Sequence, residues 1–136
     1  MTSLHILLEA RSPARRCWRA YEIEVGVDLF GAWLVEMSYG RIGTMGRSKA
    51  RSFATAADAE AQVHACLRKR ATAPRRIGVA YCLRGATQSG DWSQPELYDQ
   101  LRIWFGGSDE QVIYHNIAEA DRETHDGNFR LHHDLT

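Results

Sequence analysis

Residues 39–51, which read YGRIGTMGRSKAR, combine three glycines with four cationic side chains. Gly40, Gly43 and Gly46 are spaced three apart, and Arg41 lies between the first two. Glycine permits positive φ and close approach of a ligand to the backbone, and successive exposed N–H groups in a turn attract an anion. A guanidinium there can make two parallel hydrogen bonds with a phosphate. The segment therefore indicates phosphate binding, with an ordinary hairpin turn and a surface arginine as the equally weighted alternative.

The alternating residues at the end of this segment strengthen the phosphate hypothesis. Arg47, Lys49 and Arg51 alternate with small residues, so a strand would place the three cations on one face beside the glycines. Such a row is the electrostatic footprint of phosphate binding. The segment matches neither the P-loop, because it lacks the GK[ST] ending, nor the GxGxxG dinucleotide loop. Phe53 would share the cationic face of a regular strand, and we favour a bulge that turns it into the core.

Charge is distributed unequally along the chain, although the formal net charge is zero. Residues 1–84 contain 14 Lys and Arg against 7 Asp and Glu, whereas residues 85–136 contain 3 against 10. The basic half suggests a polyanionic partner, although two solvated charged surfaces would give the same counts. We predict one domain over residues 1–84 and an acidic extension over residues 85–136.

Hydrophobic patterning predicts a mainly β first half with one long helix. Apolar residues alternate or cluster in four short runs between turn signals, which is typical of strands. The expected strands are residues 4–10, 18–28, 32–40 and 79–83. One apolar stripe recurs at helical spacing over residues 56–71. Thr55 is the expected N-cap of that helix, with Asp58 three residues later.

The composition changes after Arg84. The following run is rich in Gly, Ser, Thr and Gln, as in a linker. Ser93 and Glu96 then form a capping box with Pro95 in the first turn, which predicts another helix. Its apolar face consists of Leu97, Tyr98, Leu101, Trp104 and Phe105. We expect this face to pack back on the sheet, residues 109–120 to suit a helix or a strand equally, and the polar tail after them to be mobile.

Known catalytic patterns do not appear in the sequence. Neither GxSxG nor HExxH occurs, and Cys82 has no histidine or acid at a recognised spacing. The tail contains several possible metal ligands, but no predicted scaffold holds them, so a polar tail is favoured over a metal site. These residues are His125, Asp126, His132, His133 and Asp134. We therefore predict no enzyme activity, no metal and no cofactor.

Cysteine usage and hydropathy favour a cytoplasmic protein without a membrane partner. Cys17, Cys66 and Cys82 are odd in number and widely spaced, which fits a reducing compartment. No apolar run approaches the roughly 20 residues of a membrane span. The N-terminal segment lacks the basic region and cleavage site of a signal peptide.

The order of these features resembles the WGR domain family. That family is named for a Trp-Gly-Arg triplet followed by a hydrophobic residue and a glycine, with another glycine soon after. Here the triplet is Tyr39-Gly40-Arg41, followed by Ile42 and Gly43 and then by Gly46. The preceding strand pair around an LFG turn is similar to the bacterial stand-alone members. The resemblance covers about residues 4–83.

The resemblance implies an α+β fold in which a twisted antiparallel β-sheet packs on one long α-helix, here with a C-terminal helical extension. In the poly(ADP-ribose) polymerases the domain recognises DNA strand breaks and binds a terminal 5′-phosphate near the triplet. Carried over, Arg41 is the candidate phosphate ligand and Tyr39 the aromatic platform beside it, in place of the family's Trp. The chain lacks the length for the polymerases' NAD-binding catalytic domain, so ADP-ribosylation is not implied.

Two functional hypotheses remain open at this point. In the first, the chain binds DNA through Tyr39, Gly40, Arg41, Gly43 and the cationic strand that carries Arg47, Lys49 and Arg51. In the second, the loop region around Tyr39 and the apolar face of the C-terminal helix bind another protein, and charge only steers the encounter.

Overall fold

The computed structural model describes residues 2–92 and 94–106, together with the backbone of residues 113–116. Within these ranges the chain forms one six-stranded sheet in the order β4-β3-β2-β1-β5-β6. The strands are β1 (Thr2–Ser12), β2 (Cys17–Val27), β3 (Trp33–Arg41), β4 (Arg47–Phe53), β5 (Cys82–Gln88) and β6 (Ile113–Asn116). Neighbouring strands are antiparallel except β5 and β6, which are parallel.

Three α-helices accompany the sheet within the same ranges: α1 (Ala56–Ala71), α2 (Ala73–Ile77) and α3 (Pro95–Phe105). Thr55 caps α1, because its side-chain oxygen accepts a hydrogen bond of 3.2 Å from the Asp58 N–H. The predicted bounds of this helix and its predicted cap are both confirmed. The start of α3 differs from the prediction, since its N-cap is Gln94 and no side chain caps it.

The core lies on one face of the sheet. Alternate residues of β1, β2 and β3 are buried there, as the period of two requires. Ala59, Val63 and Leu67 of α1 and the apolar face of α3 complete the same cluster. The sheet therefore packs on the long helix α1 and also on α3, whose apolar face was predicted to pack back on the sheet.

The three N-terminal strands occur where the patterning predicts them, but the pairing at the end of β4 differs from the prediction. The ladder between β3 and β4 runs without a shift from Tyr39 opposite Arg47 to Trp33 opposite Phe53. The bulge expected at Phe53 is therefore wrong. Phe53 reaches the core without one, because the cationic side of β4 is also the side on which α1 packs.

The strand predicted at residues 79–83 begins later and extends further, as β5 (Cys82–Gln88). The second half of β5 has the composition of a linker, so the sequence does not predict it as a strand. In the structure it is part of the sheet, and Gln88 is 1% exposed despite its polar side chain. Its amide nitrogen donates to the Gln94 carbonyl at 3.0 Å, and its amide oxygen accepts from the Gln94 N–H at 2.8 Å. Burial of this glutamine is thus compensated by hydrogen bonds that anchor the start of α3.

The domain boundary predicted after residue 84 falls inside β5. Beyond it, Trp92 is 1% exposed and packs on Trp33, with ring centroids 5.7 Å apart. The buried residues of α3, which are Leu97, Leu101 and Phe105, share this core. Among residues 2–92 and 94–106, no helix has both the length and the apolar character needed to cross a membrane.

Replacing Trp92 by Ala is expected to lower the free energy of unfolding by about 3–5 kcal/mol, because it leaves a cavity in the shared core. Urea denaturation followed by far-UV circular dichroism measures this change. Ile103→Ala is the control, since that side chain is 79% exposed on α3 and its loss should change stability little. If residues 85–136 fold separately, Trp92→Ala will instead leave the main unfolding transition unchanged.

Candidate functional site

A cleft of about 680 Å³ opens at the end of the sheet where the β1–β2 turn meets the end of β3. The C-terminus of α1, helix α2 and the residue before β5 close its other sides. We call this cleft the basic pocket. Its lining residues are Arg15, Arg16, Cys17, Trp18, Arg19, Ala20, Tyr39, Gly40, Arg41, Lys69, Arg70, Arg76, Ile77 and Tyr81.

The basic pocket is lined by seven cationic side chains and by no carboxylate. The ion pairs of the described residues lie elsewhere: His5–Glu22, Glu9–Arg11, Glu9–Arg84 and Asp99–Arg102. Within the described part of the chain, none of the seven cations therefore has a carboxylate partner. Positive charge that is concentrated in a concave site focuses the field outward and attracts anions.

Antiparallel pairing explains why these cations meet. Arg19 of β2 lies opposite Arg41 of β3, and the β1–β2 turn with Arg15 and Arg16 extends from the same end of the sheet. Helix α1 ends above this region, which adds Lys69 and Arg70. The pocket therefore collects charge from three segments that are far apart in the sequence.

Aromatic rings and backbone oxygens orient several of the guanidinium groups. The Arg41 guanidinium carbon lies 5.1 Å from the centre of the Trp18 ring, and that of Arg70 lies 3.9 Å from the centre of the Tyr21 ring. These are cation–π distances. Burial raises the pKa of Tyr21 well above its usual value of 10, so the ring stays neutral. The two arginines are thus held without any neutralising carboxylate.

Arg76 has a structural duty as well as a place in the pocket. It donates to the Lys69 carbonyl at 2.9 Å and to the Thr72 hydroxyl at 3.1 Å. Both acceptors lie at the C-terminus of α1, where the helix dipole is negative. Arg76 therefore offsets a partial negative charge that would otherwise weaken anion binding.

The glycines of the triplet segment serve the β3–β4 hairpin. Gly43 and Gly46 have φ of 87° and 66°, which favour glycine. A Cβ on Gly46 would lie 2.4 Å from the Tyr39 carbonyl oxygen, and one on Gly40 would lie 2.7 Å from the Gly46 Cα. The two strands could not approach this closely with any side chain at either position.

The same turn does not present an unbroken row of free N–H groups. The Ile42 N–H donates to the Trp18 carbonyl at 2.9 Å, and the Thr44 N–H donates to the Arg41 carbonyl at 3.1 Å. An anion nest built on consecutive N–H groups of this turn is therefore not supported. The positive charge beside the turn is therefore carried by side chains rather than by backbone N–H groups.

The structure brings some of the predicted site residues together and separates others. Tyr39, Gly40 and Arg41 line the basic pocket. The other four predicted residues lie outside it: Gly43, Arg47, Lys49 and Arg51. Gly43 lies at the hairpin tip, and the three cations of β4 form an exposed row that starts opposite Tyr39.

Only Tyr39, Gly40 and Arg41 of the pocket were predicted from the sequence. The turn at residues 12–16 and the basic end of α1, which also suits the helix dipole, are visible in the sequence, but only the fold shows that their cations converge on the triplet. Arg15 and Arg16, which are adjacent in the turn between two strands, could have indicated that this end of the sheet is basic. The candidate metal ligands of the tail lie outside the described residues, and within the described ranges no three His, Cys, Asp or Glu side chains gather into a metal-binding group.

Sulfate is expected to stabilise the protein more than chloride at equal ionic strength, because a divalent anion in the pocket binds only the folded state. At ten times its dissociation constant the gain is about 1.4 kcal/mol. Thermal unfolding in the two salts measures the difference. Arg19→Gln should reduce the sulfate effect, whereas Arg68→Gln should not, since Arg68 is exposed on α1 outside the pocket. Equal effects of the two salts would contradict an anion site.

Comparison with known proteins bears on the first half of the chain. No curated protein and no solved structure matches it significantly. The family model of the WGR domain matches residues 5–73, which include most of β1, all of β2 to β4 and α1, and the Tyr39-Gly40-Arg41 triplet. This match spans half of the chain and confirms the resemblance seen in the glycine and arginine spacing. The chain belongs to the WGR domain family.

Proposed function

We propose that the protein is a non-catalytic nucleic-acid-binding module that holds phosphate groups in the basic pocket and along β4. The observation that carries this proposal is the set of seven cations around one pocket with no carboxylate partner among the described residues. WGR domains in general bind nucleic acid, which supports the same conclusion. DNA is the proposed partner, with strand-break ends as the specific target.

Each proposed site residue has a distinct part in this function. Arg41 provides the guanidinium that binds phosphate, and the Trp18 ring packs against this guanidinium. Tyr39 is half-buried in the pocket wall and offers a ring for stacking on a base or sugar. Gly40 and Gly43 shape the hairpin, and the β4 cations extend the positive surface from the pocket rim.

The protein-interaction alternative loses its main surface. It required the apolar face of α3 to be available to a partner, but Leu97, Leu101 and Phe105 are at most 4% exposed within the core. No specific observation favours that alternative over phosphate binding, and we do not propose it.

Affinity for a nicked DNA duplex is expected to fall steeply with salt, because each phosphate contact releases counterions. A 5′-phosphate at the nick should tighten binding. Arg41→Ala should remove that preference and weaken binding roughly tenfold or more, since hydrogen bonds to charged groups contribute about 1.5–3 kcal/mol. Fluorescence anisotropy at two salt concentrations, with and without the 5′-phosphate, measures both effects.

Arg68→Ala is the matched control, because it removes one exposed cation of the same type outside the pocket. If Arg41→Ala and Arg68→Ala weaken binding equally, the pocket has no special role and the surface is only generally basic. Absence of binding at low salt would overturn the proposed function.

A further inference from the structure

We propose that β4 and the basic pocket form one continuous track for a single nucleic-acid strand, a hypothesis that rests on the proposed function and specifies its ligand. One phosphate occupies the pocket, and the strand leaves it along the cations of β4. The ligand class is therefore a strand of at least four consecutive phosphates, rather than an isolated phosphate group or nucleotide.

The register of the sheet makes the track continuous. Arg47 lies opposite Tyr39, which lines the pocket, while Lys49 lies opposite Met37 and Arg51 opposite Val35. Met37 and Val35 are buried under the helices, so the three cations point to the side of the sheet on which α1 packs. The three cations thus share the face of the edge strand that α1 approaches, and the first of them, Arg47, is paired with a residue of the pocket wall.

The spacing of the row suits a polymer of phosphates. Alternate residues of a strand are roughly 6.6–6.8 Å apart, because the rise per residue is about 3.3–3.4 Å. Successive phosphates along one nucleic-acid strand have a comparable separation. Three cations at this interval can each meet one phosphate without a change in the backbone of either partner.

The described residues leave this row free for a ligand. β4 is the edge strand of the sheet, and all three cations are exposed. None of them forms an ion pair with a carboxylate in the described part of the chain. Arg51 is held in place by a hydrogen bond of 3.2 Å to the Gln62 amide oxygen and by the Phe53 ring, 5.5 Å away. Such preorganisation lowers the entropic cost of binding.

The test is the dependence of affinity on ligand length. Binding of 5′-phosphorylated oligothymidylates of one to eight nucleotides would be measured by isothermal titration calorimetry at low salt. We expect affinity to rise roughly two- to fivefold with each nucleotide up to about four, as for exposed charge contacts, and then to level off. Lys49→Ala should reduce this gain for the longer ligands, so that the ratio of octanucleotide affinity to mononucleotide affinity falls.

Two further variants separate the track from the pocket. Arg19→Ala should weaken ligands of every length, because Arg19 lines the pocket. Arg68→Ala should weaken none of them selectively. Mononucleotide binding with no gain from length, or a gain that continues steadily to eight nucleotides, would overturn the track and leave the pocket intact. Equal effects of Lys49→Ala and Arg68→Ala would also overturn it. Failure of every oligothymidylate to bind, with the nicked duplex still bound, would overturn the track alone, whereas failure of the nicked duplex as well would refute the proposed function.

Discussion

Antiparallel pairing of β1, β2 and β3 is the constraint on which the rest of this structure depends. In such a sheet, turns alternate between the two ends, so the β1–β2 turn and the β3–β4 hairpin must lie at the same end. Helix α1 follows β4 along the chain, and the residues at its C-terminus line the cleft at that end as well. Arg15 and Arg76, which are 61 positions apart in the sequence, therefore share one cleft, and no local motif is needed to assemble the cations.

This concentration of like charge opposes folding, and the structure limits the cost in two ways. Most of the pocket arginines remain exposed, so water still solvates and screens them. The guanidinium groups of Arg41 and Arg70 lie against aromatic rings, which attract a cation without neutralising it. A neighbouring carboxylate would stabilise the empty protein further, but it would compete with an anionic ligand for the same cations. The arrangement is typical of sites in which stability is lower than it could be because binding requires it.

Local periodicity was sufficient to predict the elements that build the first half of the chain. β1, β2, β3 and α1 each bury one face, and their apolar spacing records this. β5 was harder to predict, because Gln88 is buried through hydrogen bonds to Gln94 that no pattern of hydrophobic residues reveals. The row on β4 was predicted as a cationic face and Phe53 as a core residue, but the bulge predicted to bring Phe53 there is absent, because that face also borders the core.

The basic pocket could be predicted only in part. Tyr39, Gly40 and Arg41 form a compact signal in the sequence, and the structure places all three in the pocket wall. The remaining cations belong to segments whose proximity is a tertiary property, which one sequence does not encode in any local pattern. The sequence suggested that the glycines allow a ligand to approach the backbone. The structure gives another reason for glycine, because Gly46 lies too close to Tyr39 for any side chain.

That close approach also protects the charge pattern of β4 against slippage. A shift of one residue between β3 and β4 would turn Arg47, Lys49 and Arg51 to the opposite face and bring Ser48, Ala50 and Ser52 in their place. It would also force a residue with a side chain into the gap that only Gly40 and Gly46 can share. The hairpin glycines thus disfavour a shifted register, because a side chain at either position would clash with the facing backbone. They thereby keep the three cations of β4 on the face of the sheet where α1 packs.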